Sequence, residues 1–171
     1  MKVVYYDEEK SVAEAIKEMG RTRLSINFVE LFTSLFAQGK ADWFGMCYTY
    51  TVPPNYTLTF IEYAPKNEVS IPFAVKLWTS LDGVIKYYLY IDNKLRFYDN
   101  AVTDANYPNY FNFLQVGALF AGKVEKRVVQ NTSSSSVTFS EFIVYARISD
   151  IVWRKLMEKY FDVIVQEVGL V

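Results

Sequence analysis

Apolar and polar residues alternate along most of the chain, as they do in β-strands that bury one face. The alternation predicts strands over residues 43–52, 56–63 and 69–79, which turns containing proline or asparagine separate. Two shorter apolar runs, residues 24–28 and 34–37, are interpreted as further strands. The pattern therefore favours a chain built mainly from strands.

A hairpin is predicted over residues 83–98. One face of its first strand carries the apolar residues Ile85, Tyr87, Leu89 and Ile91. Asp92 and Asn93 would form the tight turn, because both residue types tolerate left-handed backbone conformations. A polar loop over residues 99–110 then leads to a further strand over residues 111–118.

Near its end the chain changes from strand periodicity to helix periodicity without a linker. Residues 142–148 alternate as a strand, and Ser149 follows at the position of a helix N-cap. Apolar residues then recur at helical spacing, which predicts an amphipathic helix over residues 149–168 that seals one edge or face of a sandwich. A short helix is also predicted over residues 8–19, within an N-terminal extension of residues 1–20.

A length of 171 residues is typical of one domain. Hydrophobic residues make up 51% of the chain, which is enough for a sizeable core. The serine-rich loop over residues 130–136 is read as flexible, and no repeat or linker divides the chain. We therefore predict a mainly β fold: one domain over residues 1–171, a two-sheet antiparallel β-sandwich with a C-terminal helix and a short N-terminal helix.

Composition excludes several kinds of site. The chain contains no histidine, so a triad with a histidine base and a histidine-ligated zinc site are both excluded. Cys47 is alone and cannot form an internal disulfide. No cofactor is therefore expected, apart from the calcium considered below.

Charge and hydropathy restrict the kinds of partner that the chain is expected to bind. A net charge of −1 gives no general attraction to nucleic acid or anionic membrane. Lys123, Lys126 and Arg127 form a small basic cluster, but Glu125 lies among them. No apolar segment is long enough to span a bilayer, and no signal-peptide pattern is visible. Synthesis in the cytosol is expected, and release within a virion or another particle is left open.

Four segments match a known family in order: "LSINFVE", "SLFAQGKADWFGMCY" followed by "NYTLTF", "VKLWTSLDGVIKYYLYIDNKL", and "FLQVGALFAG" followed by "VTFSEFIVYARISDIVWRKL". Through them the chain resembles the concanavalin A-like lectin/glucanase superfamily, in particular its LamG-like and pentraxin-like branch. The resemblance covers roughly residues 21–160. It implies a jelly-roll sandwich and, as activity, recognition of carbohydrate.

Candidate ligand-binding residues follow from the alternation. If Val75, Leu77, Ile85, Leu89 and Ile91 face the core, the opposite face carries Lys76, Trp78, Lys86, Tyr88, Tyr90, Arg96 and Tyr98. Aromatic rings beside hydrogen-bonding cations could stack on sugar rings. The same residues could instead be covered by a partner subunit or be buried within the sandwich.

Acidic residues give weaker signals. Glucanases of the superfamily carry a Glu-x-Asp-x-x-Glu strand, which is missing here, so we expect no enzymatic activity. The isolated residues Glu62, Glu68, Glu125 and Glu141 are interpreted as solvated surface charges. Calcium could be bound by loop residues Asp82, Asp92, Asn93, Asp99 and Asp104, although turn chemistry explains these residue types better.

These observations favour a non-catalytic binding module for carbohydrate or glycan recognition or adhesion. The alternative is a structural or assembly protein of a virion or surface particle with a lectin-like fold. Either reading allows a homo-oligomer or a protein partner. Asn55 and Asn131 begin glycosylation sequons, which matter if the chain meets a glycosylation machinery.

Overall fold

The computed structural model describes residues 28–104, 106–114 and 119–158. The predicted helix over residues 8–19 lies outside this part of the chain, as do residues 24–27 and residues 159–168. Within it, eight strands form two antiparallel four-stranded sheets. The strands are β1 (Ala41–Val52), β2 (Thr57–Tyr63), β3 (Glu68–Thr79), β4 (Ile85–Ile91), β5 (Lys94–Asp99), β6 (Asn109–Asn112), β7 (Val124–Asn131) and β8 (Val137–Ser149).

Sheet A has the strand order β1-β8-β3-β6, and sheet B the order β2-β7-β4-β5. Consecutive strands therefore alternate between sheets, except in the β4–β5 hairpin, which is the strand arrangement of a jelly roll. The predicted fold class, a mainly β two-sheet antiparallel sandwich, is confirmed.

The core between the sheets is apolar and aromatic. Its buried side chains include Val75, Leu77, Ile85, Leu89 and Ile91, as the alternation predicts, together with Tyr87, Phe113, Phe139, Ile143 and Tyr145. Phe139 lies 6.0 Å from Tyr87 between ring centroids. Aromatic pairs of this kind hold the two sheets in contact.

The predicted β4–β5 hairpin is present. Asp92 and Asn93 occupy its turn with φ angles of 48° and 63°, in the left-handed region that their side chains tolerate. The register shifts between Leu89 and Tyr90, which leaves a bulge at the start of β5.

A helix replaces the predicted strand at residues 34–37. It is α1 (Phe28–Ala37), and its buried residues Phe32 and Leu35 cover the outer face of sheet A. Val69 and Ile148 lie beneath it, so this part of sheet A is buried on both faces. A short apolar run is compatible with a strand and with a helix. Here it forms a helix, because the helix covers apolar residues of sheet A that would otherwise be exposed.

The C-terminal helix α2 begins at residue 150 and is described to residue 158. Ser149 caps it, since its Oγ accepts the Ile151 N–H at 3.3 Å. Trp153 and Leu156 pack against the same outer core as α1. The predicted start and the sealing of a sheet face are therefore correct.

Two strands differ from expectation. β6 is Asn109–Asn112 and begins earlier than the strand predicted over residues 111–118, of which residues 115–118 lie outside the described residues. β7, a central strand of sheet B, lies in a segment for which no strand was predicted.

Candidate functional site

One side of the sandwich ends in two strands that have a single neighbour each among the described residues, β1 and β2. β1 is 12 residues long, and its pairing with β8 runs without a shift from Ala41 to Val52. Its free side therefore presents a continuous row of backbone donors and acceptors. Such a row is a template for pairing with another strand.

Large apolar side chains are exposed on both strands of this side, and alternation turns Trp43 to the outer face of sheet A and Ile61 and Tyr63 to the outer face of sheet B. Trp43 on β1 is 69% exposed and Tyr63 on β2 is 72% exposed. Tyr48, Tyr56 and Ile61 are exposed beside them. We call the surface formed by β1, β2 and their connecting residues 53–56 the open side.

Charge is scarce on the open side. Asp42 is the single charged residue of β1, and Glu62 is the single charged residue of β2. Glu62 is moreover tied to an arginine inside the sandwich. Depletion of charge with enrichment of aromatic residues is the composition of protein–protein interface cores.

The opposite side of the sandwich, formed by β5 and β6, is built differently. β6 has only four residues. β5 carries Lys94, Arg96 and Asp99 and contains the bulge. Short length, charge and bulges are the usual means by which proteins prevent edge pairing. Within the described residues, the fold therefore has features that block pairing on one side and lacks them on the other.

A charged cluster lies between the sheets behind the open side. Arg127 of β7 is 2% exposed, and its Nη1 lies 2.6 Å from Oε1 of Glu141 on β8. Its Nη2 lies 2.5 Å from Oε1 of Glu62 on β2, and its Nε 3.2 Å from Oε1 of Glu125. Glu125 and Arg127 are two positions apart in β7, so both point inward.

Tyrosine hydroxyls complete this cluster. Tyr50 of β1 donates to Glu141 at 3.1 Å, and Tyr48 donates to Glu62 at 3.0 Å. Tyr145 donates to Glu125. The Tyr48 ring also lies 4.8 Å below the Arg127 guanidinium. The cluster thus fastens both strands of the open side to the central strands.

Burial shifts the ionisation of these groups. Desolvation raises the pKa of Glu125 to about 7, although the Tyr145 hydrogen bond and Arg127 act against it. Desolvation likewise raises the pKa of Glu141. Burial alone would lower the pKa of Arg127, but Glu141 and the other anionic neighbours outweigh it and hold that pKa above its usual value.

Carboxyl groups with raised pKa values are also found in acid–base active sites. The cavity beside Glu125, Tyr145 and Arg147 has a volume of about 20 Å³. That is room for roughly one water molecule and not for a sugar ring. The cluster is therefore suited to holding the sheets together.

The interpretation of Glu125 and Glu141 as solvated surface charges is wrong, because both are buried against Arg127. Glu62 is partly buried and joins them, whereas Glu68 is half-buried at the start of β3. A sequence signal exists: Glu62 and Glu141 each stand within a run of apolar and aromatic residues, where a charge needs a partner.

The predicted ligand-binding residues do not share one surface. Lys76 and Trp78 belong to β3 in sheet A, whereas Lys86, Tyr88, Tyr90, Arg96 and Tyr98 belong to β4 and β5 in sheet B. The outer faces of two stacked sheets point in opposite directions. The expectation of a single aromatic face is therefore corrected to two separate groups.

Within sheet B, neighbours already contact the aromatic rings. Tyr88 and Tyr98 stack on each other with centroids 4.8 Å apart. Lys126 lies 4.3 Å above the Tyr90 ring. Arg96 sits in the bulge, where its guanidinium lies 5.8 Å from the Phe120 ring. Tyr98 remains exposed, while Tyr88 and Tyr90 are half-buried.

The basic cluster predicted at residues 123–127 is dispersed by the strand. Lys126 points outward and Arg127 inward, as alternation requires. Lys123 forms an ion pair with Asp150 at 3.1 Å. These residues therefore do not combine into a basic surface.

The candidate calcium-binding residues lie in turns and loops, where several of their carboxylates accept hydrogen bonds from backbone N–H groups. Asp92 accepts the backbone N–H groups of Lys123 and Val124, both at 2.9 Å. Asp99 accepts the Ala101 N–H at 3.0 Å and is also bound by Asn109. Asp104 accepts the Asn106 N–H, and Asp82 and Asn93 lie in exposed turns. Among the described residues, no group of His, Cys, Asp or Glu side chains is placed to hold a metal ion.

A groove of about 500 Å³ runs over the outer face of sheet A, with Lys76, Tyr110 and Phe142 in its lining. It is open and mostly apolar. Among the helices that the structure describes, none has the length and apolar character needed to cross a membrane.

No family model matches the chain, and no curated protein matches it. Solved structures do. A protein of the Bacillus endospore appendages, a family of disulfide-linked pili, is 10% identical with a TM-score of 0.42, over 64% of this chain and 88% of that chain. A chain of infectious bursal disease virus, Gx strain, is 14% identical with a TM-score of 0.37, over 64% of this chain and 33% of the viral chain.

Dimeric latent PorU from Porphyromonas gingivalis is 10% identical with a TM-score of 0.32, over 63% of this chain and 13% of that chain. All three TM-scores are too low to bear on function. The two-sheet sandwich rests on the strands and their order, and membership of the concanavalin A-like superfamily is not confirmed.

Proposed function

We propose that this protein is a non-enzymatic structural subunit that acts by associating with other protein chains through its open side. One observation carries the proposal. The β5–β6 side has the features that prevent strand pairing, and the open side has an uninterrupted strand, exposed aromatic residues and almost no charge.

The Arg127 cluster supports this role. An edge strand that frays cannot serve as a template for a partner. Tyr48 and Tyr50 anchor β1, and Glu62 anchors β2, to a charged group that is itself held by central strands. The open side is therefore an ordered surface, which lowers the entropy cost of binding a partner.

Glycan recognition is less well supported than association. A sugar site would need open ring faces beside cations, whereas Tyr88 and Tyr98 stack on each other and Tyr90 is covered by Lys126. Among the described residues, the groove on sheet A that contains Lys76 and a cavity of about 470 Å³ lined by Tyr98, Asp99 and Asn109 both have room for a saccharide. A glycan array on the wild-type protein and on a Lys76→Ala variant tests that alternative.

The proposed function is tested by placing a charge on the open side. Thr51 on β1 and Thr59 on β2 have exposed side chains, so Thr51→Lys and Thr59→Lys add a gatekeeper charge without disturbing the core. Asn100→Lys adds the same charge beside β5 and is the matched control. Mass is measured by multi-angle light scattering over a range of concentrations.

The wild-type protein should have a mass above the 19.9 kDa of one chain, and that mass should increase with concentration. At least one of the two threonine variants should shift towards 19.9 kDa, and Asn100→Lys should not. A wild-type protein that stays at the mass of one chain at every concentration, with no partner chain recovered under native conditions, would contradict the proposal.

A further inference from the structure

We infer that β1 pairs in antiparallel orientation with β1 of a second copy of this chain, about a twofold axis at Met46 or Cys47. The inference rests on the proposed function and names its partner and its strand.

β1 is the better template of the two. It has 12 residues against 7 in β2, so it offers a longer ladder of hydrogen bonds. Its pairing with β8 contains no bulge. Regular strands accept a further strand without local distortion, whereas bulges end pairing.

A second copy fits this strand for reasons of charge and symmetry. Apart from Asp42 near one end, β1 carries no charge, so its edge suits another strand with few charges and no neighbour on one side, and β1 of another copy is such a strand. Twofold interfaces use the same patch on both subunits. Asp42 lies at one end of β1, so antiparallel pairing about the middle places the two Asp42 residues at opposite ends. Parallel pairing in register would set these like charges side by side.

Alternation restricts the register. Residues directly opposite each other must have side chains on the same face of the sheet. In an antiparallel pair related by a twofold axis, this holds only if one residue lies opposite its own copy, with the axis between the two. The middle of the range Ala41–Val52 falls between Met46 and Cys47. An axis at Cys47 sets Thr51 opposite Trp43 and Tyr50 opposite Phe44 of the second copy. Pairs of aromatic and β-branched residues are favourable across strands.

The pairing of β1 with β1 can be tested by crosslinking through Cys47. Cys47 is its single cysteine, and it is exposed on β1. In either register, two Cys47 thiols come within reach of a short bifunctional maleimide. Wild-type protein treated with this reagent should give a covalent species of twice 19.9 kDa.

The comparison variant combines Cys47→Ser with Thr59→Cys, which moves the thiol to an exposed position on β2. It should crosslink about tenfold less than the wild type. Thr51→Lys should also lower the yield of crosslinked dimer about tenfold, which corresponds to about 1.4 kcal/mol of lost association free energy. Asn100→Lys should leave the yield unchanged.

The outcomes separate this inference from the proposed function. If light scattering shows association but the β2 thiol crosslinks and Cys47 does not, β1 pairing is wrong and the proposed function stands. If the protein stays at the mass of one chain at every concentration, the inference fails, and if in addition no partner chain is recovered under native conditions, the proposed function itself fails. If the β1 amides exchange slowly with deuterium in a protein with the mass of one chain, this chain's own terminal segments cover β1, which also overturns the inference.

Discussion

The guanidinium of Arg127 lies 2.6 Å from the carboxylate of Glu141 inside a sandwich where both side chains are almost fully buried. Glu125 and Glu62 contact the same guanidinium. One positive charge thus faces more than one carboxyl group in a region that water hardly enters. The balance between these charges controls how firmly the sheets, and with them the open side, are held.

Replacing Arg127 with methionine should strongly destabilise the protein. The substitution removes the cation and leaves Glu141 and Glu125 buried without compensation, which costs about 3–5 kcal/mol. Urea denaturation at pH 8 measures the loss. Arg96→Met removes an exposed arginine from β5 and serves as the control, with an expected change within about 0.5 kcal/mol. Equal stability of the two variants would mean that the buried ion pairs contribute nothing net.

Mild acid should stabilise the protein. The pKa of Glu125 is about 7 in the fold, against an ordinary value of 4.5. The folded chain therefore keeps a proton that the unfolded chain has released, and the resulting stability is complete below pH 4.5 and lost as the pH rises through 7. Between pH 5 and pH 8 the free energy of unfolding should fall by about 2 kcal/mol from this group.

Glu125→Gln tests the origin of that pH dependence. The amide cannot titrate, so the decline between pH 5 and pH 8 should become shallower. Glu158→Gln, an exposed change on α2, should leave the profile as it is. A wild-type protein whose stability increases steadily from pH 5 to pH 8 would show that the buried carboxyls are ionised throughout.

The outer core under α1 should matter for stability as much as the core between the sheets. Phe32 is fully buried, with its ring 4.7 Å from that of Phe73. Phe32→Ala should cost about 3–5 kcal/mol, and Leu156→Ala, at a partly buried position on α2, about 1–2 kcal/mol. Thermal or urea unfolding measures both. Ser34→Ala on the exposed side of α1 is the control, and a Phe32→Ala loss no larger than that of Ser34→Ala would mean that α1 is loosely attached.

The two sequons should behave differently. The Asn131 side chain is buried, and its Nδ2 donates to the carbonyl groups of Val52, Pro53 and Ser135 at 3.1, 3.0 and 2.7 Å. Asn131→Ala leaves buried carbonyls without donors and should cost about 2–3 kcal/mol. Asn55 is exposed with a φ of 51°, so Asn55→Gly should be close to neutral. The same denaturation experiment decides, and equal stability of the two variants would contradict this assignment.

Several features of the fold could be predicted because they depend on local patterns. Alternation located β1, β3 and the β4–β5 hairpin, and it placed Leu77 and Leu89 in the core. Ser149 marked the start of α2, because an N-cap is a property of a few adjacent residues. Such signals need no knowledge of what packs against them.

Other features depend on distant parts of the chain. Residues 31–36 are apolar enough for a strand or a helix, and the exposed face of sheet A decided for α1. The sequence predicted that Lys76 and Tyr88 share a face, because periodicity indicates which residues of one strand point in the same direction. It does not say which sheet receives each strand.

The sequence alone determined the strand-rich character, the hairpin turn and the absence of histidine chemistry. Only the tertiary structure decided that Glu62, Glu125 and Glu141 meet on Arg127, and that, among the described residues, β1 and β2 each lack a second neighbour whereas β5 and β6 have features that prevent pairing. The reason is physical. Alternation and capping are encoded by neighbours in sequence, whereas ion pairs between sheets and free strand edges arise from contacts between residues far apart in the chain.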